Sequence, residues 1–190
     1  MFVHNSLKKY LAPALNPIAR NLYALGITPN RATIISIIFK ICSVALIASN
    51  RFWLATVSIL LDYFFDTLDG TIARAFQLET RTGLYLDMSS DAILRLLWYP
   101  ALVWAQSISM PLALTEVVII LILFGLSLYI HWFEVETRIP VFFLSQAILI
   151  PGFVFNQVDF FSKVVLVVHG YFILHNLVAI FFFRNSRLGK

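Results

Sequence analysis

Apolar residues in this chain gather into six runs, at 31–49, 53–74, 83–106, 112–132, 140–156 and 164–183, with short polar breaks between them. Each run is near the ~20 residues that a helix needs to cross the hydrocarbon core of a bilayer, although the fifth is short. Inside lipid, backbone polar groups must be satisfied within the segment, which a helix achieves and an open strand does not. The breaks are Ser49-Asn50-Arg51, Gln77 to Thr82, Ser107 to Pro111, Glu134 to Pro140 and Asn156 to Lys163. The pattern predicts an all-α integral membrane protein of six transmembrane helices, a single domain over 1–190 with its bundle at 31–183. A chain that is 60% hydrophobic, with a mean hydropathy of +0.85, has no room for a separate soluble domain.

Ahead of the bundle, Leu7, Leu11, Leu15, Ile18, Leu22 and Leu25 recur at steps of three to four residues, with Lys8, Lys9 and Arg20 between them. This reads as an amphipathic juxtamembrane helix over 5–25 lying on the membrane surface, broken near Pro13 and Pro17. Gly26 then stops the chain and Thr28-Pro29 restarts it, with Thr28 as cap and Pro29 as first helical residue. The N-terminus lacks the apolar stretch of a signal peptide, so no cleavage is expected. A lone cysteine, Cys42, excludes a disulfide framework within the chain and reads as a small lipid- or core-facing residue.

An even number of spans puts both termini on one side. On that side fall Lys8, Lys9, Arg20, Arg31, Arg74, Arg81, Arg138, Arg184, Arg187 and Lys190, ten residues, against two on the other, Arg51 and Lys163. Positive residues concentrate on the cytoplasmic side of membrane proteins, so both termini are expected there. The net charge of +4 therefore speaks to topology and anionic lipid rather than to nucleic acid.

Four aspartates sit in two helical pairs, Asp66 with Asp69 at the end of the second run and Asp87 with Asp91 early in the third. An ionisable residue in a membrane helix costs roughly 2.5–3.5 kcal/mol on insertion scales, so four together demand neutralisation. Residues at i, i+3 and i, i+4 share a helix face, which makes each pair a two-pronged oxygen claw. Hard divalent cations such as Mg²⁺ or Mn²⁺ take such ligands. A two-ion site can clamp both oxygens of an in-line phosphoryl displacement. Gly70 lets backbone approach a ligand closely, and Arg74 places a guanidinium suited to phosphate on the same face. All of this lies at the cytoplasmic ends of the two runs.

The full string, Asp66-x2-Asp69-Gly70-x2-Ala73-Arg74-x8-Gly83-x3-Asp87-x3-Asp91, fixes eight positions over 26 residues. It resembles the CDP-alcohol phosphotransferase pattern D-x2-D-G-x2-A-R-x8-G-x3-D-x3-D at every position and gap. Pro29-Asn30-Arg31-Ala32-Thr33 is similar to the P-N-x-x-T that often opens the first membrane helix of that family. The resemblance implies an enzyme of phospholipid biosynthesis. It would move a phosphatidyl group from a CDP-linked lipid, usually CDP-diacylglycerol, to a small alcohol, releasing CMP. It further implies two ions, with Asp66, Asp69, Asp87 and Asp91 as metal ligands and Asp91 also as the base that takes the acceptor's proton. The CDP site would be lined by Asp66, Asp69, Gly70, Ala73 and Arg74, with Thr33 beside them and Gly83 allowing close packing. Relatives often pair through membrane helices, which makes a homodimer an expectation. The same string serves enzymes that move a phospho-amino-alcohol from a soluble CDP-alcohol to diacylglycerol. From another class, a small cation transporter would also place carboxylates in a membrane.

Several charged residues fall outside the string. Asp62, one turn before Asp66, is read as a structural partner of Lys40 from the first run. Arg95, four residues after Asp91, is placed to orient it. His131, Glu134, Glu136 and Arg138 cluster at the cytoplasmic end of the fourth run, where they could read the acceptor or simply form a charged loop. His169 and His175, six residues apart and with no carboxylate beside them in sequence, read as core or interfacial histidines. Trp53, Trp98, Trp104 and Trp132 suit membrane boundaries or packing faces.

Overall fold

The computed structural model describes the backbone of residues 5–132 and 141–188 and the side chains of 15–80, 89–91, 93, 95–130 and 147–182. Within these bounds the secondary structure is entirely helical. The helices are α1 (Asn5–Ala24), α2 (Pro29–Ala48), α3 (Phe52–Ala75), α4 (Arg81–Trp104), α5 (Met110–Trp132), α6 (Val141–Val154) and α7 (Val158–Leu188). Among the described residues six helices follow α1, each overlapping one of the six apolar runs. Among the described residues, three stretches are long and apolar enough to cross a membrane: Pro29–Ala48, Met110–Ile130 and Val158–Phe182.

Helix ends explain the spacing. Two residues past the end of α1 stands Gly26 at φ 86°, and the Ile27 and Gly26 amides return to the Leu22 and Tyr23 carbonyls at 2.9 Å each. This is the left-handed closure that glycine favours. Asn50, Gln77, Gln106 and Asn156 take the same positive φ between later helices. Each of these four lies in or next to a break read from sequence. Pro29 occupies the first turn of α2, and Thr28 has the extended backbone of a cap, but its side chain makes no capping hydrogen bond.

Three boundaries differ from the sequence reading. The expected break near Pro13 and Pro17 is absent, and α1 runs through both. The carbonyls deprived of a partner are those of Lys9 and Pro13, four residues apart on one helix face, a loss that bends a helix without ending it. The helix of the sixth apolar run begins at Val158 rather than 164. Asp159 and Lys163, which look like a polar break, are an i, i+4 pair 2.6 Å apart on the first turns of α7. Helix α7 also continues past 183, to Leu188.

The described helices fall into two compact units, α1 to α4 within Ser6–Ala105 and α5 to α7 within Gln106–Lys190. In the first, α2 packs on α3 and α4. Helix α1 rests on the C-terminal end of α3 through a buried cluster of Ala19, Leu68 and Ile72. Tyr23 stacks on Phe76 with ring centroids 4.0 Å apart. The sidedness of Leu7, Leu11, Lys8 and Lys9 lies outside the described side chains. Helix α2 turns Ala32, Ser36, Lys40, Ser43 and Ile47 inward and leaves Ile34, Ile38 and Ile41 exposed. A polar face packed inside and an apolar face turned out is the arrangement that a lipid solvent selects. Cys42 lies on the exposed side.

In the second unit, α7 packs on α5 and α6. Gly152 lets α6 approach α7 closely: a Cβ there would stand 2.9 Å from Phe161 Cβ. Between α5 and α7, His169 Nδ1 lies 2.8 Å from Glu116 Oε2, both residues almost wholly buried. His169 is thus a core histidine, with a carboxylate beside it in space though none in sequence. Its partner is 53 residues away in sequence and on another helix.

Candidate active site

Helix α3 is continuous from Phe52 to Ala75, so Asp62, Asp66, Asp69 and Arg74 follow one another along it at helical spacing. Helix α4 is continuous across Gly83, Asp87 and Asp91, which puts the last two one turn apart. The side chains of Gly83's neighbours and of Asp87 lie outside the described set, as do His131, Glu134, Glu136 and Arg138 entirely or in their side chains.

Helix α2 supplies the residues that bring the two aspartate pairs together. Thr33 donates its hydroxyl to Asp69 Oδ2 at 2.6 Å. Ser36 donates to Asp62 Oδ1 at 2.7 Å. One turn further, the Lys40 ammonium bonds Asp91 Oδ1 and lies 3.5 Å from Asp62 Oδ1 and 3.9 Å from Asp66 Oδ1. Arg95 Nη2 stands 3.5 Å from the other oxygen of Asp91. Below this level Trp98 Nε1 donates to Ser43 Oγ at 3.0 Å, and Ser58 donates to the Phe39 carbonyl at 2.8 Å. The polar residues of α2 therefore form a ladder, each rung meeting α3 or α4.

Accessibility grades along the ladder. Asp62 is almost wholly buried, whereas the side chains of Asp66 and Asp91 keep 13% and 27% of their surface open. Asp69, also of the string, is buried at 9% exposure. Gly70 faces the guanidinium of Arg74: a Cβ would stand 3.1 Å from Arg74 Nη1. The missing side chain thus makes room for Arg74 to fold back along its own helix, where Nη2 lies 3.4 Å from the Thr71 hydroxyl. Asp62, Asp66 and Asp91 meet at Lys40, with Arg95 on Asp91 and Thr33 on Asp69, while Gly70 and Arg74 follow one and two turns past Asp66 on α3.

The Lys40 to Asp62 pairing and the Arg95 to Asp91 pairing agree with the sequence reading. The contact of Lys40 with Asp91 was not foreseen. An ion pair between helices has no fixed sequence offset, and only the choice of which carboxylate lies nearest in space decides it. Asp66 and Asp91 also carry the eight-position string from one helix to the next, and the family model that describes such chains matches residues 26–182.

The chain belongs to the CDP-alcohol phosphatidyltransferase family. Among curated members it is similar to the archaetidylinositol phosphate synthase of Pyrococcus horikoshii, 36% identical over 84 residues, which is 42% of each chain. The chain spans less than half the length of the curated relatives it matches, between 42% and 49%. Among solved structures it resembles the phosphatidylinositol phosphate synthase of Mycobacterium tuberculosis with CDP-DAG bound. The TM-score is 0.73 at 20% identity, over 87% of this chain and 92% of that one. The same enzyme in complex with manganese and citrate gives a TM-score of 0.63 at 20% identity, over 88% of both chains. These structures share the fold. With apolar helices of membrane-crossing length, the family member described here is an integral membrane protein.

Proposed function

We propose that the chain is a membrane enzyme that transfers a phosphatidyl group from a CDP-linked lipid, CDP-diacylglycerol in the first instance, to a small alcohol with release of CMP. The observation that carries this reading is that one ammonium reaches both aspartate pairs. Lys40 lies between Asp66 of α3 and Asp91 of α4, so the two claws of the string address a common centre.

The donor set fits a hard divalent cation. Carboxylate oxygens and the Thr33 hydroxyl surround the centre, and neither thiolate nor imidazole approaches it among the described residues. Asp66, Asp69, Asp87 and Asp91 would hold two Mg²⁺ or Mn²⁺ ions. Such ions, when bound, neutralise a pyrophosphate and polarise its phosphorus. Arg74 binds a phosphate oxygen of the donor, and Gly70 leaves room for the guanidinium to do so. Thr33 holds Asp69 in position. Arg95 orients Asp91, which accepts the proton of the acceptor hydroxyl as that oxygen attacks the β-phosphorus. The bond from this phosphorus to the bridging oxygen breaks, and CMP leaves with the electron pair. General-base assistance of this kind is worth about 10²–10⁴-fold.

Helices α2 to α7 are read as six crossings, with both termini and the site on the cytoplasmic side, where the basic residues collect. An inositol phosphate is the acceptor to test first, because the similar proteins named above make inositol phosphate lipids. Glycerol phosphate, inositol, serine and phosphatidylglycerol follow. The test uses purified chain, CDP-diacylglycerol, Mn²⁺ or Mg²⁺ and each acceptor in turn, reading CMP. Acceptor-dependent CMP release is expected. Its absence with every acceptor would refute the reading, and CMP release from a soluble CDP-alcohol with diacylglycerol would reverse the direction of transfer.

A further inference from the structure

Lys40 and Asp62 lie outside the eight-position string, yet they are built into its centre. Lys40 is 6% exposed and Asp62 is 1% exposed. Lys40 lies eleven residues into α2, roughly 16 Å along its axis. Among the described residues, no three acidic or imidazole side chains form a ready cage for a cation. The Lys40 ammonium lies among the carboxylates, bonded to Asp91 and within 3.5 Å of Asp62 and 3.9 Å of Asp66.

We propose that Lys40 is a resident cation of this cluster with two seats, Asp91 when no divalent ion is bound there and Asp62 when an ion takes Asp91. The proposal rests on the reading of the cluster as a metal site. Lys40 is on this account a positioning residue, and it sets how tightly the site holds metal.

The physical argument has three parts. First, an ammonium and a divalent ion on the same carboxylate repel strongly, because charges a few ångströms apart in a partly dry site are weakly screened. Ion binding at Asp91 therefore displaces Lys40 from it. Second, an ammonium displaced inside a membrane helix bundle needs a counter-charge, since a buried charge left without one is strongly destabilising. Asp62 provides it, one turn along α3 from Asp66. Third, the second seat is held ready. Ser36 donates to the very oxygen of Asp62 that Lys40 faces, and the four-carbon lysine stem shifts its head without moving the helix. A carboxylate placed there as an additional metal ligand would not need that arrangement.

Competition predicts opposite signs for two variants. The experiment titrates Mn²⁺ into the detergent-solubilised full chain without donor, following free Mn²⁺ by electron paramagnetic resonance. Lys40→Met with Asp62→Asn removes the pair while leaving its summed charge at zero. It should bind Mn²⁺ at least about tenfold more tightly, because Asp91 no longer has an occupant to lose. Asp62→Asn alone removes the second seat and should bind Mn²⁺ more weakly, again by about tenfold or more. Equal or weaker binding by the double variant overturns the proposal. So does unchanged or tighter binding by Asp62→Asn, which remains decisive if the double variant does not fold. Asp66→Asn separates this from the underlying reading. If it abolishes saturable Mn²⁺ binding while the Lys40 and Asp62 variants match the unaltered chain, the metal site stands and the two-seat role falls. If the unaltered chain shows no saturable Mn²⁺ binding, both fall.

Discussion

The Thr33 hydroxyl donates to Asp69 Oδ2 across 2.6 Å, tying the first turns of α2 to the first aspartate pair on α3. The Pro29 carbonyl one turn back, 3.1 Å away, is the more distant alternative acceptor for the same proton. A hydrogen bond to a charged group contributes about 1.5–3 kcal/mol. Thr33→Val keeps the shape and removes that bond. We predict weaker binding of CDP-donor and Mn²⁺ by about tenfold, with Thr33→Ser restoring both. Calorimetric titration of each variant checks it, and equal affinities for Val and Thr would show that Thr33 only packs.

Chelation is expected to abolish transfer, and Mg²⁺ or Mn²⁺ to restore it, because the string offers hard oxygen ligands. The measurement is CMP release before and after adding back each ion. Full turnover in excess chelator would remove metal from the account.

The carboxylates are expected to divide their labour. Asp91→Asn should lower turnover by about 10²–10⁴-fold while leaving donor binding largely intact, since a base acts only in the transition state. Asp69→Asn should weaken metal and donor binding together as well as turnover. Donor titration beside a rate assay distinguishes them. If both variants lose donor binding equally, the four aspartates act as one coupled cluster.

A fourth prediction concerns the second unit. Glu116 and His169 bridge α5 and α7 with their side chains buried. Removing one partner leaves the other desolvated and unmatched, while removing both does not. Glu116→Leu and His169→Phe are each expected to lower thermal stability in detergent, and the double variant to recover part of the loss. Coupling energies for polar pairs between membrane helices average about 0.6 kcal/mol and reach about 1.7. Strictly additive losses would show that the two side chains do not act as a pair.

Much of this is legible in the sequence, for reasons that differ by feature. Six helices and their gaps follow from hydropathy, and the left-handed residues Asn50, Gln77 and Asn156 mark three of those gaps. The aspartate string is legible because helical spacing alone aligns Asp66 with Asp69. The Arg95 contact with Asp91 was legible for the same reason. What escaped was set by long-range packing. Glu116 looks like an ordinary residue near the start of an apolar run until α7 brings His169 to it. Lys40 could be matched with Asp62 by depth, but only the arrangement of α2 against α4 brings Asp91 to its ammonium. The early start of α7 was hidden because Asp159 and Lys163 look like a loop when read singly and like a helix face when read as a pair.

The inward polar face of α2 also bears on how the chain is made. Helix α2 emerges from the ribosome carrying Lys40 ahead of Asp62, Asp66 and Asp91. On its own it would bring a bare ammonium to the middle of the bilayer, at an insertion cost of roughly 2.5–3.5 kcal/mol. Its counter-charges arrive 22, 26 and 51 residues later, at Asp62, Asp66 and Asp91. The first hairpin is therefore the smallest piece that can leave the translocon with its charges matched. Biogenesis of this membrane protein is expected to proceed by holding α2 at the lateral gate until α3 joins it.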